Sequence, residues 1–383
     1  MNPKERSQTI IIAAGGTSGH IYPAFAIAAG IQRILPAVRF IFCGAPGGLE
    51  QIMVESEGYN FHPIPAQNMP NRRNRRYFSW AWTNIRGMLK SRALLKAQIP
   101  QLVIGTGGFV SAPLIAAARC MGVPYFLHEQ NAVPGRANRL FARRARAVFI
   151  SYESSRSCFA RGGHIVFSGN PVRPLFFELD RARAREALDI ADDVFLVMVM
   201  GGSLGSRTIN TALARMDDAG GWTALLDKYP QLRLAVSTGV QSPVGYPEEI
   251  AALPGVLTAE PFLHDAPYWI AACDLFIGRA GAMTCAEIAS QGKPSVLIPF
   301  LHAVDDHQTE NARAMEEVGA SLVFSDGDFN SQQLLETLDR LIAQPDLLAA
   351  MSKSARRWAT PDAAGTIAEM VAAVLENDET VKS

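Results

Sequence analysis

Thr9-Ile10-Ile11-Ile12-Ala13-Ala14-Gly15-Gly16-Thr17-Ser18-Gly19-His20 decides the fold. A β-branched, apolar run breaks at paired glycines and hands over to residues 21–35. Their apolar spacing is helical, with Pro23 tolerable in the first turn. This is a strand, a glycine loop and a helix, the opening of a βα unit. Working outward, 38–43, 101–104, 124–128 and 147–151 read as further short apolar strands, and 111–121 reads as a helix. Strands this uniformly apolar belong to a parallel sheet covered on both faces.

The pattern then restarts. Residues 194–200 form a second buried run that ends in Gly201-Gly202-Ser203-Leu204-Gly205-Ser206. Strand candidates follow at 232–237, 256–259, 275–277 and 295–298, with helices at 206–215, 282–291 and 308–317 between or after them. The chain therefore reads as two α/β lobes of similar plan. Pro171 and Pro174 mark a connector near 169–174, and beyond about 345 the sequence is helical and Ala-rich. The expected division is 1–170 plus a returning helix at about 350–376, then 171–349, with a polar tail from 377 to 383 that should fray.

Length agrees: 383 residues at roughly 100–200 per domain suggest two or three domains. With 48% apolar and 19% charged residues the chain can build cores, which excludes a disordered protein. The five cysteines (43, 120, 158, 273, 285) are odd in number and include no CxxC pair. A disulfide framework or zinc ribbon is disfavoured and a reducing compartment favoured. The run after Lys4 and Arg6 is too short for a signal peptide, and no uncharged stretch reaches the roughly 18 residues of a spanning helix.

A net charge of zero hides an asymmetry. Residues 58–152 hold fourteen Lys and Arg against one acid, Glu129, while 153–383 hold eighteen bases against 31 acids. The basic block should face something anionic. Within it, Arg72-Arg73-Asn74-Arg75-Arg76-Tyr77-Phe78-Ser79-Trp80-Ala81-Trp82 mixes arginine with aromatics. That composition suits an anionic bilayer face, with Arg72, Arg73, Arg75 and Arg76 on headgroups and Phe78, Trp80 and Trp82 at the interface. No nucleic-acid-binding fold signature accompanies it, so nucleic acid is not an expected partner.

Glycine turns between a strand and a helix let backbone approach a ligand and aim N–H groups at anions. Four occur, at 15–19, 105–108, 201–205 and 278–281. Gly15–His20 lacks GxGxxG spacing and the second strand ends Cys43-Gly44 with no acid, which disfavours a dinucleotide; no GxxxxGK[ST] exists, which excludes the P-loop reading. The fourth loop opens a helix at Gly281-Ala282-Met283-Thr284, where N–H groups and a hydroxyl could meet a diphosphate. Glu287, one turn on, could accept both hydroxyls of a ribose or simply complement the helix dipole. Polar groups from His302 through Asp305, Asp306, His307 and Gln308 to Asn311 follow an apolar strand. They could read a sugar, or Asp305 or Asp306 could cap the next helix. His128-Glu129-Gln130-Asn131 ends another strand, and the isolated Glu129 is either a counter-ion or part of a site.

Taken in order, Gly15–His20, Gly107-Gly108-Phe109-Val110-Ser111, His128–Asn131, Gly169-Asn170-Pro171-Val172-Arg173, Gly201-Gly202-Ser203, Arg279–Thr284 with Glu287, and His302 through Gln308 to Asn311 resemble the peptidoglycan N-acetylglucosaminyltransferases of glycosyltransferase family 28. The resemblance implies a GT-B fold: two Rossmann-like lobes, an interdomain cleft, and a C-terminal helix returning to the first lobe. It implies transfer of N-acetylglucosamine from UDP-N-acetylglucosamine to lipid I, giving lipid II, at the cytoplasmic face of the bacterial plasma membrane. On the donor it places Thr17, Ser18, Gly19, Asn131, Arg173, Ser203, Ala282, Met283 and Thr284, with Glu287 on the ribose, Phe262 and Leu263 at the uracil and His307 and Gln308 at the sugar. The acceptor pyrophosphate would lie near Gly16, Thr17, Gly107, Gly108 and Ser111. Ser18 and Leu204 depart from the usual pattern, standing where many members carry Gly and Gln.

The reaction implied is an inverting attack of the acceptor's 4-hydroxyl on the anomeric carbon. It needs a base and a positive field for the leaving UDP. His20 is the first base candidate, with an ordinary imidazole value near 6.5; Glu129 and Asn131 are second. No Asp-x-Asp motif presents itself, so neither metal nor other cofactor is expected. A diacylglycerol glycosyltransferase, a UDP-N-acetylglucosamine 2-epimerase and a non-catalytic nucleotide-sugar sensor are the alternatives.

Overall fold

The computed structural model describes residues 8–16, 18–70, 76–159, 163–263 and 265–381. It contains two compact units, Met1–Arg173 with Asp362–Ser383, and Pro174–Pro361. The first holds a seven-stranded parallel sheet of β1 (Thr9–Ala13), β2 (Arg39–Gly44), β3 (Asn60–Pro63), β4 (Leu102–Gly105), β5 (Tyr125–Glu129), β6 (Ala147–Ile150) and β7 (Ile165–Phe167). Their order is β3-β2-β1-β4-β5-β6-β7. The second holds six parallel strands, β8 (Phe195–Met200), β9 (Leu232–Ser237), β10 (Val256–Glu260), β11 (Leu275–Gly278), β12 (Ser295–Leu297) and β13 (Ser321–Val323), ordered β10-β9-β8-β11-β12-β13.

Both sheets wind outward from a central pair, so strand order reverses between β1 and β4 and again between β8 and β11. Open α/β sheets bind ligands beyond the carboxyl ends of strands at such reversals. The four glycine loops follow β1, β4, β8 and β11, two at each reversal.

The first sheet is covered on both faces, as its sequence requires. Ile10 and Ile12 pack with Ile21, Ala24, Ile27 and Ile31 of the Ser18–Ile34 helix, while Ile11 and Ala13 pack on the other face with Leu114 and Ala118 of the Ser111–Met121 helix. Ile367, Ala368, Val371 and Leu375 of the C-terminal helix complete the first of these cores. In the second unit Val197, Val199, Leu234, Val236 and Ile277 pack against Trp222, Leu213 and Leu338. Burying each such side chain is worth roughly 1.5–3 kcal/mol.

Several boundaries differ from expectation. The first helix begins at Ser18, with Ser18 in helical backbone, so Pro23 sits one turn inside it rather than in the first turn. The tail is two helices, Pro345–Trp358 in the second unit and Ala363–Val381 in the first. Pro361 ends the run, because proline breaks a helix and disfavours helical backbone in the residue before it. Of the tail expected to fray, 377–381 is the end of this helix, and 382–383 lie outside the described residues.

Candidate functional site

At the first reversal, the loops after β1 and β4 press together. Gly107 and Gly108 carry φ of +93° and +74°, a region closed to most side chains. A Cβ on Gly108 would collide with the Gly15 carbonyl, and one on Gly107 would come within 3.1 Å of the His20 ring. Glycine here lets the backbone form a wall against His20. Gly16 is exposed with φ of +92°, Gly19 is half-buried, and Ser111 spends its hydroxyl on the Gly108 carbonyl at 2.8 Å. Thr17 lies outside the described residues.

His20 sits in the first turn of the Ser18–Ile34 helix, half-buried. Its Nδ1 is 3.1 Å from the Thr106 carbonyl oxygen and 3.1 Å from Gln130 Oε1. Thr106 Oγ1 in turn donates to the His20 carbonyl at 2.8 Å. Behind Gln130 lies the fully buried His128, whose Nε2 is 3.2 Å from the Gly169 carbonyl oxygen. Burial pulls the His128 imidazole down to about 4, with the Gly169 contact opposing the shift and the neighbouring His20 adding to it. His128 is therefore neutral at physiological pH.

Glu129 ends β5 and is buried. Its Oε1 accepts from the Asn131 backbone N–H (3.1 Å) and from Asn131 Nδ2 (3.3 Å). Its Oε2 accepts from Gly135 N–H (2.9 Å) and Asn138 Nδ2 (2.8 Å). Four donors on one carboxylate make Glu129 the anchor of the 131–138 loop, and they occupy the lone pairs a base would use. Asn131 belongs to that anchor. Arg173 closes the first unit with its guanidinium 4.7 Å over the Tyr22 ring.

At the second reversal the chemistry is barer. The Ala282–Ser290 helix starts behind Gly281, an N-cap residue in extended backbone with no side chain of its own to cap the first turn. Ala282 and Met283 are buried, whereas Thr284 and Glu287, three residues apart, are half-exposed on one face. Ser203 is exposed, and its carbonyl accepts from Val240 N–H at 3.2 Å; Leu204 is exposed beside it. Phe262 is exposed and Leu263 buried.

Arg279 braces this end of the sheet. Its Nη1 donates to the carbonyls of Ile298 (3.0 Å) and Pro299 (3.2 Å) and pairs with Asp326 at 2.6 Å. Asn311 reaches back to the Ala280 carbonyl at 3.1 Å. Asp306 occupies the N-cap position of the His307–Glu317 helix, but with φ of +55° and no side-chain cap bond. Asp305 is also left-handed, at +53°. Two consecutive non-glycine residues in that region store strain of order 1–3 kcal/mol each, a feature that clusters at ligand sites. They set the half-exposed His307 and Gln308 at the helix start, where Gln308 Oε1 accepts from Phe300 N–H at 3.0 Å.

Arg72, Arg73 and Arg75 lie outside the described residues. Arg76 begins an Arg76–Gln98 helix. Phe78 and Trp82 are 80% and 64% exposed, joined at helical spacing by Ile85 (52%) and Leu89 (59%). Trp80 departs from this stripe: two residues out of phase, it is half-buried with its ring 4.9 Å from that of Tyr77. Every described Lys and Arg of 58–152 is exposed, and Glu129 is buried, so this block's described surface charge is all positive. No described helix is long and apolar enough to cross a membrane.

Sequence patterns alone do not point to Thr106 or to Gln130 as a residue with its own role, and the pair Ile85 and Leu89 joins the stripe only once the helix and its exposed face are known. The first two look like loop residues until the fold brings 20, 106 and 130 together.

Comparison with known proteins agrees with this geometry. Residues 10–150 match the Glycosyltransferase family 28 N-terminal domain and residues 196–367 its C-terminal domain. A UDP-N-acetylglucosamine--N-acetylmuramyl-(pentapeptide) pyrophosphoryl-undecaprenol N-acetylglucosamine transferase of Desulforudis audaxviator is 35% identical, covering 94% of this chain and 97% of its own length. The crystal structure of Acinetobacter baumannii MurG superposes with a TM-score of 0.72 at 25% identity, over 95% of this chain and 99% of that one. A putative UDP-N-acetylglucosamine 2-epimerase from Listeria monocytogenes shares the fold alone, with a TM-score of 0.68 at 12% identity over 97% and 96% of the two chains.

Proposed function

The chain belongs to glycosyltransferase family 28, and from that premise we propose that it transfers N-acetylglucosamine from UDP-N-acetylglucosamine to the 4-hydroxyl of the N-acetylmuramyl group in lipid I, yielding lipid II and UDP. The observation that carries this reading is the placement of four glycine loops, two at each sheet reversal, with His20 at one and the start of the Ala282–Ser290 helix, behind Gly281, at the other.

The second unit takes the donor. N–H groups of Ala282, Met283 and Thr284 and the Thr284 hydroxyl meet the diphosphate, where the helix dipole adds to the hydrogen bonds. Glu287 accepts from the ribose hydroxyls, Phe262 and Leu263 flank the uracil, and His307 and Gln308 read the sugar, with Ser203 near the phosphates. The first unit takes lipid I, its pyrophosphate against Gly16, Thr17, Gly107 and Gly108, while Thr17, Ser18, Gly19, Asn131 and Arg173 add contacts to the donor.

In the transfer, the acceptor O–H proton passes to His20 Nε2 as the oxygen bonds to the anomeric carbon from the face opposite UDP. The bond from that carbon to the β-phosphate oxygen breaks, and its electron pair leaves with UDP. The anomeric centre inverts. A positioned base contributes roughly 10²–10⁴-fold. The positive ends of backbone N–H groups and Arg173 stabilise the leaving diphosphate, so the reaction runs without a metal. Of the sequence pairs Asp217-Asp218 and Asp192-Asp193, Asp217 accepts from Thr223 at 2.8 and 3.0 Å, and the exposed Asp192 lies 4.0 Å from Arg181.

The Phe78, Trp82, Ile85 and Leu89 stripe, with Arg86, Arg92 and Lys96 also exposed on its helix, docks on the anionic cytoplasmic leaflet where a polyprenyl acceptor resides. The test is transfer of labelled N-acetylglucosamine from its UDP donor to a lipid I analogue in EDTA. Labelled lipid II is the expected product. Release of free sugar epimer, transfer to diacylglycerol alone, or donor binding without turnover would each overturn the reading.

A further inference from the structure

The polar groups around His20 can be assigned hydrogen by hydrogen. The Gln130 amide nitrogen lies 2.6 Å from the Thr106 carbonyl oxygen and 2.9 Å from His128 Nδ1. A carbonyl oxygen can only accept. His128 Nε2 faces a second carbonyl, that of Gly169, so the neutral His128 ring carries its hydrogen on Nε2 and leaves Nδ1 to accept. Both neighbours of the Gln130 amide nitrogen are therefore acceptors, and the reverse orientation would set two oxygens 2.6 Å apart. The amide is locked with its NH₂ toward Thr106 and His128 and its Oε1 toward His20.

That orientation fixes the state of His20. Its Nδ1 faces two oxygens, Thr106 O and Gln130 Oε1, each at 3.1 Å, and must carry the hydrogen. The lone pair of the neutral ring then lies on Nε2. Gln130 is itself buried and anchored through its carbonyl, which accepts from Asn170 Nδ2 at 3.0 Å; Asn170 Oδ1 accepts from Ser151 Oγ at 2.8 Å. The chain of bonds runs from the end of β6, through β5, to the first helix without a charged member.

We propose that Gln130 is a positioning residue of the transfer reaction: held by Thr106 and His128, its carbonyl keeps His20 in the Nδ1–H tautomer and so presents the Nε2 lone pair to the acceptor hydroxyl. The inference rests on the reading of His20 as the base. When His20 takes the proton it becomes an imidazolium with hydrogen on both nitrogens, and the two oxygens at Nδ1 accept from the charged ring as they did from the neutral one. No side chain has to turn during the step. A neutral amide, unlike a carboxylate, fixes the tautomer without adding a charge that would hold the proton afterwards.

The test uses the full chain labelled with ¹⁵N-histidine. Long-range ¹H–¹⁵N spectra at pH 7.5, with His20 assigned through His20→Gln, read the tautomer directly in the wild type, whatever the variants do to folding. The expected result is hydrogen on Nδ1 and none on Nε2. In Gln130→Met, where only the Thr106 carbonyl still faces Nδ1, the Nε2–H form rises to a measurable minor population and kcat falls about threefold, while KM for both substrates changes less than twofold. Gln130→Glu, whose carboxyl must keep a proton to face the Thr106 carbonyl, retains an acceptor for Nδ1 and the single Nδ1–H form. An Nε2–H His20 in an active wild type, or a Gln130→Met protein with unchanged tautomer and kcat, overturns this inference alone. A wild type that makes no lipid II overturns the function reading and this role with it.

Discussion

The reversal of the first sheet and that of the second use the same parts, two glycine loops beyond two central strands, and present opposite chemistries. In the first unit the loops wall in a side-chain network, His20, Thr106, Gln130 and His128, whose hydrogens are all assigned by carbonyl acceptors. In the second, the loop after β11 leads into a helix whose N-cap is Gly281, and Thr284 and Glu287 stand half-exposed one turn apart. On the proposed reading, one topology offers a proton acceptor in one place and an anion cradle in the other. The backbone decides where a ligand comes, and the side chains after it decide what happens there.

The largest effect should come from breaking the first of these. His20→Gln removes the base and should lower kcat by roughly 10²–10⁴-fold, measured by steady-state transfer with saturating donor. A loss smaller than about tenfold would take proton transfer away from this reversal.

Next comes acid stability. His128 is held near 4, below the usual imidazole range, because it is buried. The folded protein refuses a proton that the unfolded chain takes up below about 6.5. This group's contribution is therefore intact above about pH 6.5 and lost as pH falls toward 4, about 3 kcal/mol in full. Denaturant titrations across that window should show stability rising with pH, and His128→Gln should flatten the slope. An unchanged slope would mean that folding does not alter the proton affinity of His128.

The smallest effect concerns the surface. Phe78→Ser combined with Trp82→Ser should weaken binding to phosphatidylglycerol vesicles about tenfold, as judged by co-sedimentation, and added salt should weaken the wild type further. Equal binding to neutral phosphatidylcholine vesicles would remove the electrostatic half of the membrane assignment.

Much of the fold was legible because its signals are local. The apolar runs of β1 and β8 and the glycines after them announce two parallel sheets, and 111–121 and 232–237 match the observed elements residue for residue. The edge strands β3, β7 and β13 escaped notice because they are three or four residues long and largely half-buried, so no continuous apolar run marks them. The site was partly legible. His20 and Glu287 stand next to glycine loops and draw attention, but the roles of Glu129 and Gln130 are set by partners elsewhere in the chain. Glu129, isolated among bases, reads as a candidate base; four donors from its own loop make it an anchor. Trp80 reads as interfacial with Trp82, and helical phase turns it to the other side.

Equilibrium titration of UDP into the wild type, His20→Gln and Glu287→Ala tests the division of tasks most directly. UDP affinity should stay within twofold in His20→Gln and fall at least tenfold in Glu287→Ala, since hydrogen bonds to a charged group are worth about 1.5–3 kcal/mol. Loss of UDP binding in His20→Gln together with full binding in Glu287→Ala would contradict the account, because the nucleotide would then belong to the first reversal and not the second.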